Sequence, residues 1–286
     1  MNVKLSIDGQ TAWCHRKSLE YGYFHTYDAL SLGGDTRKIQ VFLPSEYENT
    51  NHKYPVIYMN DGHTIFHCGG LSAWAWDADA TLEELSRKGE IEKVIIVAVY
   101  PVDRNREFLP KKSFFAKNMG LQEGMLDVYG NYLANVLKPF IDKNYSVDTS
   151  ASRTAIVGSS FGGVVSLYIP ASHPDKFGIG GIMSPSFTSV IIFDEDGIPE
   201  ENTDFLKEVE EYLSKAKNKP SYWIDWGGQE EPIAQTAPLV VKLLETRYGY
   251  KIGKDLHYFY DEIATHDERA WKYRFGLFLK AFYPKK

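Results

Sequence analysis

Seven short stretches of this chain, "KIQVFLP", "PVIYMN", "KVIIVAVY", "TAIVGS", "FGIGGIMSP", "SYWIDWG" and "DLHYFYDE", are rich in β-branched and aromatic residues and bounded by Gly, Pro, Asp or Asn. That is the pattern of strands. Several are apolar on both faces, which places them inside a parallel sheet rather than at a wetted surface. Between them run stretches with a helical period: Leu126, Tyr129, Leu133, Val136, Leu137 and Phe140, then Leu239 and Leu243, then Trp271, Phe275 and Leu279. The alternation predicts an α/β fold with a mostly parallel central sheet and helices on both faces. No repeat, low-complexity tract or linker interrupts it, so residues 1–286 read as one domain, with 1–37 as an N-terminal extension or edge strands. Segments 101–120 and 187–202 fit the alternation poorly. Long loops in a compact domain are often lids or binding walls, and these two are candidate pocket loops.

The stretch "TAIVGSSFGGVV", Thr154 to Val165, carries the chemistry. G-x-S-x-G between a strand and a helix is a nucleophile elbow, in which glycines leave room for a sharp, strained bend. The frame separates two adjacent serines. Ser160 has Gly158 before it and Gly162 after it, whereas Ser159 would need glycine at Val157 and Phe161. Ser160 is therefore the candidate nucleophile. The rival reading, a phosphate-binding turn, lacks both G-x-G-x-x-G and a Walker lysine.

A serine hydroxyl needs a base, and in such a fold the order is Ser, acid, His. Three histidines follow Ser160. His173 lies in a turn after the elbow helix, and His257 lies inside a strand. His266, in "EIATHDERAW", follows the last strand, where a side chain can swing over the carboxyl edge of the sheet. It is the candidate base. The acid belongs in "SYWIDWGGQEEP", where Asp225, Glu230 and Glu231 all qualify by charge. Asp225 lies within the strand, while the two glutamates follow Gly227 and Gly228, where the chain is free to turn. One N–H of an oxyanion hole should come from Phe161, directly after the nucleophile.

Composition closes off other classes. The net charge of −6 is spread along the chain, with no basic surface for nucleic acid. No apolar run is long enough for a bilayer, and "MNVKLSIDGQTAWCH" has no apolar h-region, so the expectation is a cytoplasmic protein. Cys14 and Cys68 are too few for a disulfide framework. His63 and His67, four apart beside Asp61 and Cys68, superficially suggest a metal, but that spacing suits a helix and the segment reads as a loop. "DEDG" at Asp194 to Gly197 lacks the rest of a calcium loop. No metal is expected. Arg104 and Arg106 suit an anionic substrate or a nearby acid. Trp74, Trp76, Trp226 and Trp271 suit a stacking wall or the core, and Trp226 is taken as a substrate-binding candidate with the two arginines.

The stretches "YPVIYMNDGHTIF", "VIIVAVYPVDRNREFLP", "LKPFIDKNYSVDTSASRTAIVGSSFGGVVSLY", "HPDKFGIGGIMSPSF", "YWIDWGGQEEP" and "THDERAWKYRFGLFLKAF" fall in an order that resembles the putative esterase family of α/β hydrolases. That group includes feruloyl and acetylxylan esterases of carbohydrate esterase family 1, siderophore esterases, S-formylglutathione hydrolases and mycolyltransferases. The resemblance covers roughly Lys38 to the C-terminus and implies a single-domain α/β hydrolase without a cofactor. It places the triad at Ser160, His266 and Glu230, with the doubled glutamate in "GGQEE" a departure from the family pattern. It places the second oxyanion N–H in "DGHTIF", at His63 or its neighbour. The implied activity is hydrolysis of small, phenolic or carbohydrate-linked esters. Acyl transfer by the same triad and siderophore trilactone hydrolysis are the alternatives, and a non-catalytic binding role is disfavoured by the complete triad. The partner expected is a small-molecule ester; the sequence says nothing of oligomeric state.

Overall fold

In the computed structural model, which describes residues 2–18, 22–69, 72–111, 113, 120, 122–187 and 204–285, three strands open the chain: β1 (Val3–Ile7), β2 (Gln10–Ser18) and β3 (Gly22–Leu32). The seven anticipated strands follow as β4 (Asp35–Leu43), β5 (Val56–Met59), β6 (Ile95–Val99), β7 (Thr154–Ser160), β8 (Ile179–Pro185), β9 (Ser221–Gly227) and β10 (Leu256–Asp261). All ten form one sheet in the order β1-β2-β3-β4-β6-β5-β7-β8-β9-β10. From β6 to β10 every neighbouring pair is parallel, and from β1 to β6 every pair is antiparallel.

The antiparallel flank is written in two turns. Asp8-Gly9 and Gly33-Gly34 each have positive φ at both positions (49° and 76°, 57° and 87°). They join Ile7 to Gln10 and Leu32 to Asp35 as paired residues. Two-residue turns of this hand match the right-handed twist of the strands they connect. β1, β2 and β3 thus form the antiparallel flank of the sheet, with β1 at its edge.

The inner parallel strands are buried on both faces, with no exposed residue in β5, β6 or β8, while the edge strand β10 exposes Tyr258 and Tyr260. The helices that cover them are α1 (Gly62–Ile65), α2 (Ala78–Arg87), α3 (Arg104–Glu107), α4 (Leu126–Tyr132), α5 (Lys138–Asn144), α6 (Phe161–Ser172), α7 (Asp204–Leu213), α8 (Ile233–Thr246) and α9 (Glu268–Phe282). A π-helical turn, Leu133–Leu137, joins α4 to α5. One face packs Tyr129, Leu133, Val165, Ile169 and Val240 from α4, the π-helical turn, α6 and α8. The other packs Leu82, Leu85, Trp271, Phe275 and Leu279 from α2 and α9. The helix around α8 differs from expectation by one position: Leu239 and Leu243 are half-buried, because Ile233, Ala237, Val240 and Leu244 form its inward face.

This topology brings the loops after β5, β7, β8, β9 and β10 to a single edge of the sheet, the edge where open α/β sheets hold their ligands. Of the two candidate pocket loops, 101–111 includes the short α3, whereas 112, 114–119 and 188–202, with Asp194, Glu195 and Asp196, lie outside the described residues. Among the described residues no helix is long and apolar enough to cross a membrane.

Candidate active site

Ser160 ends β7 and leads into α6 with φ 58° and ψ −123°. An L residue holds such a conformation only when its surroundings impose it. The glycines allow the fit. A Cβ on Gly158 would stand 2.7 Å from the carbonyl oxygen of Gly162, and one on Gly163 would stand 2.8 Å from that of Met183. Side chains there would push α6 off the sheet. Ser159 is buried, and Ser160 is half-buried in an open cleft of about 470 Å³. The cleft is also lined by Asp61, His63, Arg104, His266 and Trp271. Ser160 Oγ lies 3.1 Å from Ser186 Oγ, just past β8.

His266 lies between β10 and α9. Asp267 caps α9 by accepting the N–H groups of Arg269 and Ala270, which fixes the backbone one residue beyond the imidazole. The ring stands at 90° to Trp271 with centroids 5.0 Å apart. Its Nδ1 is 3.9 Å from Glu230 Oε2. Contacts of this kind are often long in a free enzyme and tighten around substrate.

The Glu230 side chain is fully buried. Ser184 Oγ donates to its Oε1 at 2.9 Å, and Arg274 Nη2 donates to the same oxygen at 3.1 Å. Oε2 has no hydrogen-bond partner among the described residues and faces His266. Burial opposes the charge, yet His266, Arg274, the Ser184 hydroxyl and the Gly227 N–H together hold Glu230 below the ordinary carboxylate range. An ionised, buried carboxylate beside an imidazole fixes its tautomer and stabilises the imidazolium. Asp225 is also fully buried, but its partners are Trp223 Nε1, donating at 2.6 Å, and Arg274 Nη1 at 3.2 Å. Glu231 is exposed.

On the other side of Ser160, Phe161 opens α6 and His63 lies in α1, where it lines the cleft. Asp61, in left-handed conformation just before α1, is gripped by Arg104 through Nε–Oδ1 at 2.7 Å and Nη2–Oδ2 at 2.8 Å. The guanidinium lies 5.2 Å over the ring of Phe108 and 5.5 Å over that of Phe161. Arg104 therefore ties the α1 loop to the start of α6, with its charge met by Asp61. Arg106 turns away, donating through Nε to the carbonyl of Glu123 at 3.4 Å. Trp226 is in the core, stacked on Tyr258 at 5.9 Å, and does not line the cleft. Trp74 does, half-exposed beneath the Arg269 guanidinium at 4.6 Å. His63 lies beside Tyr100 while His67 packs on Phe24 and Phe66, and the described residues hold no metal-binding cluster of three or more His, Cys, Asp or Glu.

Residues 31–280 match the family of proteins described as putative esterase. The chain belongs to the putative esterase family. Similar in sequence are the uncharacterized protein YjcH of Bacillus subtilis, 31% identical over 148 residues (51% of this chain, 54% of that protein), and the siderophore triacetylfusarinine C esterase of Aspergillus fumigatus, 26% identical over 214 residues (69% and 65%). The chain spans about half the length of the former. Similar in structure is a CE1 ferulic acid esterase from the anaerobic fungus Anaeromyces mucronatus, solved in complex with ferulic acid, with TM-score 0.62 and 24% identity over 93% of this chain and 92% of that one. At that identity the likeness establishes the α/β-hydrolase fold.

Within this putative esterase, three residues around Glu230 and Ser160 escaped sequence reasoning. Arg274 had a usable signal: it lies three residues after Trp271 on the apolar stripe of α9, and a charged residue placed to be buried needs a partner. Ser184 and Ser186 had none. Ser159 pairs with Met183 and Ser160 with Pro185, so Ser184 is the extra residue of a bulge, at φ 42°. A bulge re-aims a side chain, and only the pairing of β7 with β8 reveals it.

Proposed function

We propose that this chain is a serine carboxylic ester hydrolase using Ser160, His266 and Glu230 on small, phenolic or carbohydrate-linked esters. The observation that carries the reading is the meeting of three parts at one edge. Ser160 is held up on a strained elbow, His266 borders the same cleft, and Glu230 Oε2 lies 3.9 Å behind the imidazole. His266 takes the Ser160 proton as Oγ attacks the acyl carbonyl. Glu230 holds the imidazole and offsets the imidazolium charge. The N–H groups of Phe161 and His63 are the donors for the oxyanion, a contribution commonly worth about 3 kcal/mol per donor. His266 then protonates the leaving alcohol, and water activated by the same imidazole releases the acid. Trp74 and Trp271 give the cleft an aromatic wall suited to a phenolic or sugar group. The relatives named as siderophore and ferulic acid esterases support the ester class.

Labelling with a fluorophosphonate, followed by mapping of the modified peptide, tests the nucleophile. The label is expected on Ser160, with Ser160→Ala inactive by roughly 10⁶-fold in kcat and Ser159→Ala retaining most activity. A label on Ser159, or no label on a folded protein, overturns the assignment.

A further inference from the structure

Arg274 is fully buried on α9 between two carboxylates. Its Nη1 faces Asp225 Oδ1 at 3.2 Å, and its Nη2 lies 3.1 Å from Glu230 Oε1. Ser184 completes the arrangement. Its hydroxyl donates to Glu230 Oε1 and accepts from Arg274 Nη2 and Trp271 Nε1, each at 2.9 Å. One oxygen of Glu230 is thus held by two donors, and the other is left facing the imidazole.

A lone buried arginine against the triad acid would cancel the negative charge that an imidazolium needs, because charges in the interior are weakly screened. Two carboxylates around one guanidinium avoid this: every ion has a partner, and one net negative charge remains. We propose that Arg274 and Asp225 are positioning residues for the triad acid, Arg274 with Ser184 turning Glu230 so that Oε2 faces His266, and Asp225 restoring the negative charge that the arginine alone would cancel. The inference rests on the esterase reading and deepens it. Burial pushes Asp225 up to about 6, against the pull of Arg274 and the Trp223 donor, so the cluster keeps its net charge above that pH. The other titratable and charged groups that line the cleft with His266 are Asp61, paired with Arg104, His63, Asp267, paired with Arg269, and Glu268, bonded by Ser72; they stay the same in the variants below.

The decisive measurement is the pH profile of kcat/KM on one neutral ester. Asp225→Asn keeps the shape of the side chain and removes a negative charge from the cluster behind the base, so the acid limb of the profile should move down by about half a pH unit. Arg274→Met should lower kcat by roughly 10²-fold in the wild-type background and add little in Glu230→Gln, since a residue acting through Glu230 has nothing left to position. An unmoved acid limb in Asp225→Asn, or an equal Arg274→Met penalty in both backgrounds, overturns the proposal. If Arg274→Met does not fold, the Asp225→Asn profile decides by itself. Failure of fluorophosphonate labelling would overturn the esterase reading, whereas an unmoved acid limb in a protein that still hydrolyses esters overturns only this inference.

Discussion

Glu230 and Glu231 are chemically equal in the sequence and opposite in the structure, one with a fully buried side chain beside the imidazole and the other exposed. Glu230→Gln should therefore lower kcat by about 10⁴-fold, as loss of the tautomer-fixing carboxylate does in serine hydrolases. Glu231→Gln should remain near wild type. Steady-state kinetics on one neutral ester checks both, and a large loss in Glu231→Gln would shift the acid by one residue. Ser160 was legible because a five-residue frame with two obligatory glycines has only one register over "GSSFG". Which carboxylate faces His266 was not legible from the residues themselves, although the family resemblance pointed to Glu230: Asp225 and Glu230 meet different nitrogens of Arg274 while Glu231 stays exposed, and Arg274 comes from a helix more than forty residues on.

At the scale of elements, the loop-to-helix junction at Asp267 does two jobs. It caps α9 and anchors the backbone next to His266. Arg269, burial, Thr265 and the two capped N–H groups act on its carboxyl, which is held far below the usual range. Because the folded form is the more acidic one, the stabilisation is complete above the unfolded value of about 4 and is lost as pH falls below it. Asp267→Ala should cost about 1 kcal/mol, a drop of roughly 2–4 °C in Tm. Thermal unfolding across pH should show that gap constant near neutrality and narrowing below about pH 4. A second junction at the cleft is Arg104, at the start of α3, on Asp61, just before α1. Arg104→Ala should lower kcat on neutral and anionic esters alike, by roughly 10-fold or more. A rise in KM confined to anionic esters would instead make Arg104 a substrate contact.

For the molecule as a whole, the described lining of the cleft carries more acid than base. Asp61, Asp267 and Glu268 line it, against Arg104; Arg104 meets Asp61, Arg269 meets Asp267, and Glu268 is bonded by the Ser72 hydroxyl, with no cationic partner among the described residues. Paired esters that differ only by a carboxylate should show the anionic member turned over more slowly at low salt, with the gap closing as salt screens the field. Faster turnover of the anionic ester would point to a cationic subsite elsewhere in the cleft. Ester products formed with and without an added alcohol would separate hydrolysis from acyl transfer, which share every step up to the acyl-enzyme.

The sequence alone determined the alternation of buried strands and amphipathic helices, the elbow at Ser160 and the order of the chemical groups along the chain. These follow from local rules: periodicity reports burial, and glycine spacing reports a bend that no other residue tolerates. The first 37 residues were read only as an extension or edge strands, although Asp8-Gly9 and Gly33-Gly34 are local turn signals that fit the antiparallel flank. The tertiary structure decided what depends on pairing across distance. It chose Glu230 to face His266, placed Trp226 in the core and Trp74 in the cleft, matched Arg104 to Asp61, and turned Ser184 out of register into the Glu230–Arg274 cluster. A charge or a hydroxyl looks the same in sequence whether it meets water, substrate or another buried ion, and only the packed sheet brings its partner within 3 Å or so.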